Sequence, residues 1–213
     1  YADSIATYLG IVVSRLADYQ SSITTWASNP QMEILRNVFG RQAISMVWGF
    51  AEGNPFGPSS GTLDIMISAV SRAIEALPAK SGAEADQADA AARDYAGLIV
   101  STDPPYYDNI GYSDLSDFFY IWLRRSLREI HPALFASILV PKAEELVANP
   151  HRHGGASGAE AFFEAGFERV FAQARKGASP DIPMTVYYAF KQGELEQEGV
   201  SNTGWATILE GMI

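Results

Sequence analysis

The sequence predicts an α/β protein: part of a doubly wound parallel sheet behind a mostly helical N-terminal part. Residues 97–101, Gly-Leu-Ile-Val-Ser, are a short unbroken apolar run, as a strand buried on both faces is. Residues 183–190 are a second run, rich in strand formers. Stretches with helical apolar spacing lie between and after these runs. Strand, helix, helix, strand, helix is the order of a doubly wound sheet. Two strands are too few to complete one, so the 213 residues read as part of such a sheet.

Taken in order, residues 4–19 form a helix with Ile5, Leu9, Val12, Val13 and Leu16 on one face and Asp3 or Ser4 as its cap. Residues 21–26 are short and β-branched, and stay open between strand and loop. Asn29-Pro30 signals a turn, and Pro30 suits the first position of a helix. Residues 32–51 are dense in apolar side chains and are expected as two helices broken near Gly40. Residues 53–61, rich in glycine and proline, form a loop that cannot continue a helix. Residues 62–77 make a third helix, stopped by Pro78. Residues 79–92, rich in alanine and acid, are expected to be exposed linker in part. After the strand at 97–101, Ser113 or Asp114 caps a helix running to about Ile130. Leu115, Phe118, Phe119, Trp122, Leu123, Leu127 and Ile130 are its expected buried stripe. Residues 149–155 are a loop, and 159–176 an amphipathic helix with Phe162, Phe163, Phe167, Val170 and Phe171 inward. The strand at 183–190, an acidic loop and a helix from Thr203 finish the chain.

Composition narrows the function classes. The chain has no cysteine, hence no disulfide frame and no thiolate metal site. No apolar run approaches the roughly 18 residues that span a membrane, which gives a cytoplasmic expectation with no membrane partner. The chain starts Tyr1-Ala2-Asp3, with neither a start methionine nor a signal peptide, and is expected to be a piece of something longer. A net charge of −10 is unlike a simple DNA-binding module, whose surface is basic. A nucleic-acid partner would need locally concentrated cations, or a grip outside this stretch.

The strand at 97–101 leads into Asp103-Pro104-Pro105-Tyr106. Neither proline has a backbone N–H, so the ladder ends there. In open α/β sheets ligands sit beyond the carboxyl ends of the strands, so Asp103 and Tyr106 fall where an active site belongs. The four residues resemble the catalytic motif of the amino methyltransferases that act on adenine or cytosine in DNA. The chemistry explains the residue types. An exocyclic amine is a poor nucleophile, because its lone pair is delocalised into the ring. A carboxylate from Asp103 and the carbonyl of Pro104 would hold the two amine hydrogens and turn the lone pair outward. The prolines fix the direction of that carbonyl. The ring of Tyr106 offers a face for an extruded base, worth roughly 1–3 kcal/mol in stacking.

Longer runs sharpen the resemblance. Residues 101–112 and 115–125, with Met46-Val47-Trp48, Ala51-Glu52, Asn54-Pro55-Phe56 and Tyr188-Ala189-Phe190-Lys191-Gln192, are similar to a family of large prokaryotic adenine-specific DNA methylases. Some members of that family lie near phage-defence genes. The resemblance implies a partial Rossmann-like sheet using S-adenosylmethionine, with DNA as partner. It implies catalytic roles for Asp103, Pro104, Pro105 and Tyr106, with Asp103 also facing the cofactor. It places the glycine-rich cofactor loop upstream of this chain and continues the sheet past Ile213. Residues 1–80 would then be a helical insertion, a target-recognition element, and 81–213 the C-terminal half of the catalytic core. The fragment alone is expected to be inactive and the parent protein active. The nearest glycine-rich stretch within the chain, Phe56-Gly57-Pro58-Ser59-Ser60-Gly61, comes after a helix-like segment and reads as an ordinary loop and cap.

Further residues have two readings each. Asp89 matches an acidic residue that touches the cofactor's adenine in such enzymes, or is a solvated acid in a linker. Tyr107, Asp108 and Asn109 shape the base pocket or cap the next helix. Lys191 binds substrate at the end of the second strand, or is a strand-end lysine reaching solvent. His151 and His153 flank Arg152 in a loop that contacts phosphate or is plain surface, and two histidines without a third ligand make no metal set. The expected function is methylation of an exocyclic amine, adenine in DNA, with RNA a variant. The alternative is a non-enzymatic interaction protein that retains the fold without a cofactor site. Methylation of a protein side-chain amide ranks last, since those enzymes carry Asn where this chain has Asp103.

Overall fold

A computed structural model gives the structure and describes residues 1–29, 32–77, 82, 84–108, 110–188, 208–210 and 212. It is a mixed architecture of helices and two small sheets, broadly α/β. The chain divides into two compact units, Tyr1–Ala85 with Ser113–Pro141, and Asp86–Tyr112 with Lys142–Ile213. The first unit thus combines the N-terminal residues with residues 113–141.

In the first unit, α1 (Ala2–Ala17) and α2 (Leu63–Ala76), helices as their spacing predicts, pack together. The buried face of α1 is not the expected one. Gly10, Val12 and Ser14 are buried, while Ile5, Leu9 and Val13 are at least 40 % exposed. The cause is close approach. A Cβ on Gly10 would stand 2.9 Å from Cδ1 of Leu127, so α1 offers its small residues to α3 (Tyr112–Leu127). Only Leu127 of the stripe expected on that helix and its C-terminal end is fully buried, and Trp122 is exposed. The chain after α3 folds back along it. Asp117 accepts the N–H of Val140 at 2.9 Å, and Tyr120 donates to the carbonyl of Ser137 at 2.8 Å.

The largest departure is at residues 32–51. Instead of two helices, β2 (Met32–Arg36) pairs antiparallel with β1 (Thr25–Asn29), setting Trp26 opposite Leu35 and Ala27 opposite Ile34. Residues 37–51 then run as turns and irregular chain. Dense apolar composition without a clear period does not select a helix, and a strand partner decides it. Buried Asp18 anchors the start of this irregular run: its carbonyl accepts the N–H of Val38 at 2.9 Å and its carboxylate that of Phe39 at 3.4 Å. Pro30 and Pro78 lie outside the described residues.

The second unit is built on α4 (Ala156–Gly177), whose Ala159, Phe163, Phe167 and Phe171 recur every fourth residue and are buried. Ile208, within the helical residues 208–210 of the expected C-terminal helix, joins this core. Phe162 and Val170, also expected inward, are only partly buried. Two consecutive left-handed glycines, Gly154 (φ 74°) and Gly155 (φ 104°), turn the chain into α4, a conformation that side chains with a Cβ rarely adopt.

Beside α4, β3 (Ser101–Thr102) and β4 (Thr185–Val186) form a parallel pair, the neighbour relation predicted for the two apolar runs. The regular strands are shorter than 97–101 and 183–190, and residues 189–190 lie outside the described residues. Nor is the first run buried on both faces: Leu98 is 40 % and Ile99 65 % exposed. Met184, Val186 and Tyr188 pack one face of the pair onto the α4 core. A parallel strand is buried twice only when both faces are covered, and among the described residues this one is covered once.

Candidate active site at the tip of the parallel pair

The last ladder bond of the pair sets the site. The carbonyl of Thr102 accepts the N–H of Tyr187 at 2.8 Å, and the next residue, Asp103, stands exposed at the strand tip. Pro104 and Pro105 come next and have no N–H to extend the ladder. The two backbone donors after them go to tyrosine hydroxyls instead. The N–H of Tyr106 bonds the hydroxyl of Tyr112, and that of Tyr107 donates to the hydroxyl of Tyr188 at 3.1 Å.

The two motif aromatics play different parts. Tyr107 is turned to the core: its ring meets Phe163 in a T-shaped contact at 5.0 Å, and its carbonyl accepts the N–H of Ala148 at 2.7 Å. Tyr106 is partly buried and meets the ring of Tyr188 at 5.5 Å, nearly perpendicular. So the turn is held from four places: β3 before it, Tyr188 just past β4, Tyr112 at the start of α3, and the segment carrying Ala148.

Acidic groups converge here. Burial raises the pKa of the Tyr112 phenol, and the neighbouring acids of Tyr106, Asp103 and Glu145 raise it further, while the N–H of Tyr106 pulls the other way. The folded chain therefore holds the Tyr112 proton more tightly than an ordinary phenol does. Glu145 is itself paired with Arg152 at 2.7 Å.

The other candidates lie apart from this cluster or beside it. Asp89 is exposed, and its carboxylate accepts the N–H of Ala91 at 2.9 Å in a local turn. Asp108 is exposed beside the motif. Asn109 and Lys191 lie outside the described residues. In the 149–155 loop, Arg152 is committed to Glu145 and to the carbonyl of Lys142 at 3.3 Å. His153 stacks on Phe162 at 3.8 Å. Among the described residues, no group of three or more His, Cys, Asp or Glu side chains could hold a metal. No helix among them is long and apolar enough to cross a membrane.

Sequence reasoning missed Tyr112, Tyr188 and Glu145 as members of this site. Tyr112 closes the run that starts at Ser101, and Tyr188 opens the segment ending in Gln192. Both tyrosines therefore stand in runs that the sequence singles out, but nothing local shows which partner a hydroxyl takes. Comparison of the chain with protein-family models, with curated proteins and with solved structures gave no match.

Proposed function

We propose that this chain carries the amine-orienting end of an S-adenosylmethionine-dependent methyltransferase acting on an exocyclic amine, adenine in DNA. The observation that carries this reading is an exposed Asp103 directly beyond the tip of a parallel strand, followed by two prolines and a braced tyrosine ring. In this reading Asp103 and the carbonyl of Pro104 accept the two amine hydrogens, which frees the nitrogen lone pair. Tyr106 stacks on the extruded base, and Asp103 is the first acceptor of the proton the amine gives up. The cofactor supplies an electrophilic methyl group when bound.

The described residues fit the base half of such a site and not the cofactor half. The carboxylate of Asp89 is engaged by Ala91, and the left-handed glycines Gly61, Gly97, Gly154 and Gly155 form no glycine-rich turn after a strand. In this proposal the cofactor turn lies where the resemblance puts it, in another part of a parent protein, within a Rossmann-like sheet that β3 and β4 would extend.

The test uses the full-length parent. Asp103→Ala should lower single-turnover methyl transfer by about 100-fold or more, with DNA affinity little changed, because the lost contact acts mainly in the transition state. Tyr106→Ala should weaken base capture and rate together, and Tyr106→Phe should keep most activity. Affinities are compared at one salt concentration. Methylation at the parental rate by Asp103→Ala would make the motif a structural turn. The interaction-protein reading would then lead, and it has its own support: Trp48 is 94 %, Met46 80 % and Phe56 78 % exposed.

A further inference from the structure

Two consecutive prolines create a mechanical problem at the strand tip. The ladder that would hold residues 104–107 in line has lost two donors. A turn without those bonds would let the Tyr106 ring wander. The chain meets this with β4, one ladder bond further on. Tyr187 still pairs with Thr102 through its backbone, and Tyr188 then reaches the motif with its side chain.

Tyr188 touches the motif twice: its hydroxyl takes the Tyr107 N–H at 3.1 Å, and its ring stands across Tyr106 at 5.5 Å and 88°. The same side chain also packs against the α4 core. A residue anchored in the core thus meets both the backbone and the working ring of the motif.

We propose that Tyr188 is a positioning residue for the candidate site: its hydroxyl fixes the turn after Pro105, and its ring fixes the face that Tyr106 presents to a base. The proposal rests on the methyltransferase reading for its consequence, not for its geometry. Tyr188 itself touches no reacting atom in this scheme. Its neighbour Tyr187 is 62 % exposed and enters this ladder through its backbone bond to Thr102, so it serves as the control.

The experiment compares Tyr188→Phe, Tyr188→Leu and Tyr187→Phe in the full-length parent by single-turnover methyl transfer to adenine-containing duplex DNA and by hydrogen exchange of peptides spanning residue 107. Tyr188→Phe keeps the ring and removes the bond, so the rate should fall roughly tenfold, the scale of one hydrogen bond, with the DNA concentration for half-saturation unchanged. Exchange should speed up around residue 107 and stay parental in α4. Tyr188→Leu should lower the rate further, and Tyr187→Phe should match the parent in both measurements. A parental rate and parental exchange in Tyr188→Phe would overturn the proposal. So would faster exchange spread evenly through α4, which marks a core residue only, or a half-saturation concentration raised by the same factor as the rate falls. If the parent methylates no nucleic acid, the methyltransferase reading fails, and exchange alone then decides whether Tyr188 holds the turn. Should Tyr188→Phe fail to fold, Tyr188→Leu losing no more structure than Tyr187→Phe, with parental exchange at residue 107, would equally overturn it.

Discussion

Single side chains at the motif illustrate how backbone donors find partners. Two prolines end a ladder, and the next two N–H groups are taken up by phenols, Tyr112 for Tyr106 and, from 81 residues away, Tyr188 for Tyr107. Burial and nearby acids raise the pKa of Tyr112 above the ordinary tyrosine value of about 10. The folded state then holds this proton more tightly than the unfolded chain. Its contribution to stability is fully present below that ordinary value and is lost as pH rises through the raised one. The expected effect is small, since Tyr112 is 36 % exposed and solvent screens the neighbouring charges. Urea unfolding of the wild type and Tyr112→Phe should give a stability difference that is flat up to about pH 10 and becomes less favourable to the wild type above it. A difference that grows in the wild type's favour with pH would contradict the assignment.

Among the elements, α4 does most to place the site. Its aromatic stripe is a single face, yet its members differ in what they touch. Phe163, fully buried, meets the Tyr107 ring, whereas Phe171, 3 % exposed, meets Phe167 within the core. Phe163→Leu and Phe171→Leu should each cost about 1–3 kcal/mol in chemical unfolding, as trimming a buried ring does. Only Phe163→Leu should also speed hydrogen exchange in residues 103–107. Equal exchange in the two variants would mean that the motif turn does not lean on α4. The helix was legible in the sequence because its buried residues recur every four positions within one stretch. The strand at 32–36 was not, because Trp26 and Leu35 must first be brought opposite each other.

On the scale of the whole molecule, the first unit is left and re-entered by the chain, since Ser113–Pro141 belongs with Tyr1–Ala85. The second unit holds the motif, β3, β4 and α4, but no glycine-rich turn after a strand among its described residues. Such a turn is what lets a cofactor approach the backbone closely. Calorimetry on the 213-residue chain should accordingly show no binding of S-adenosylmethionine at micromolar chain concentration. Tight binding would place the cofactor turn inside this chain and undo the proposed division of the site.

By itself the sequence determined α1 to α4 to within a few residues, the parallel partnership of the two apolar runs, and the position of Asp103 past a strand tip. Each has short-range causes: periodicity, proline's missing donor, and the connection of parallel strands through helices. The tertiary structure alone decided three other matters. Gly10 and Ser14, not Ile5 and Leu9, face inward on α1, because Leu127 needs room at Gly10. Ile99 stays exposed, because among the described residues only one layer covers the pair. Tyr188 closes the motif turn from 81 residues away, a contact that no local pattern encodes, because a hydroxyl's partner is chosen by the folded chain and not by its neighbours in sequence.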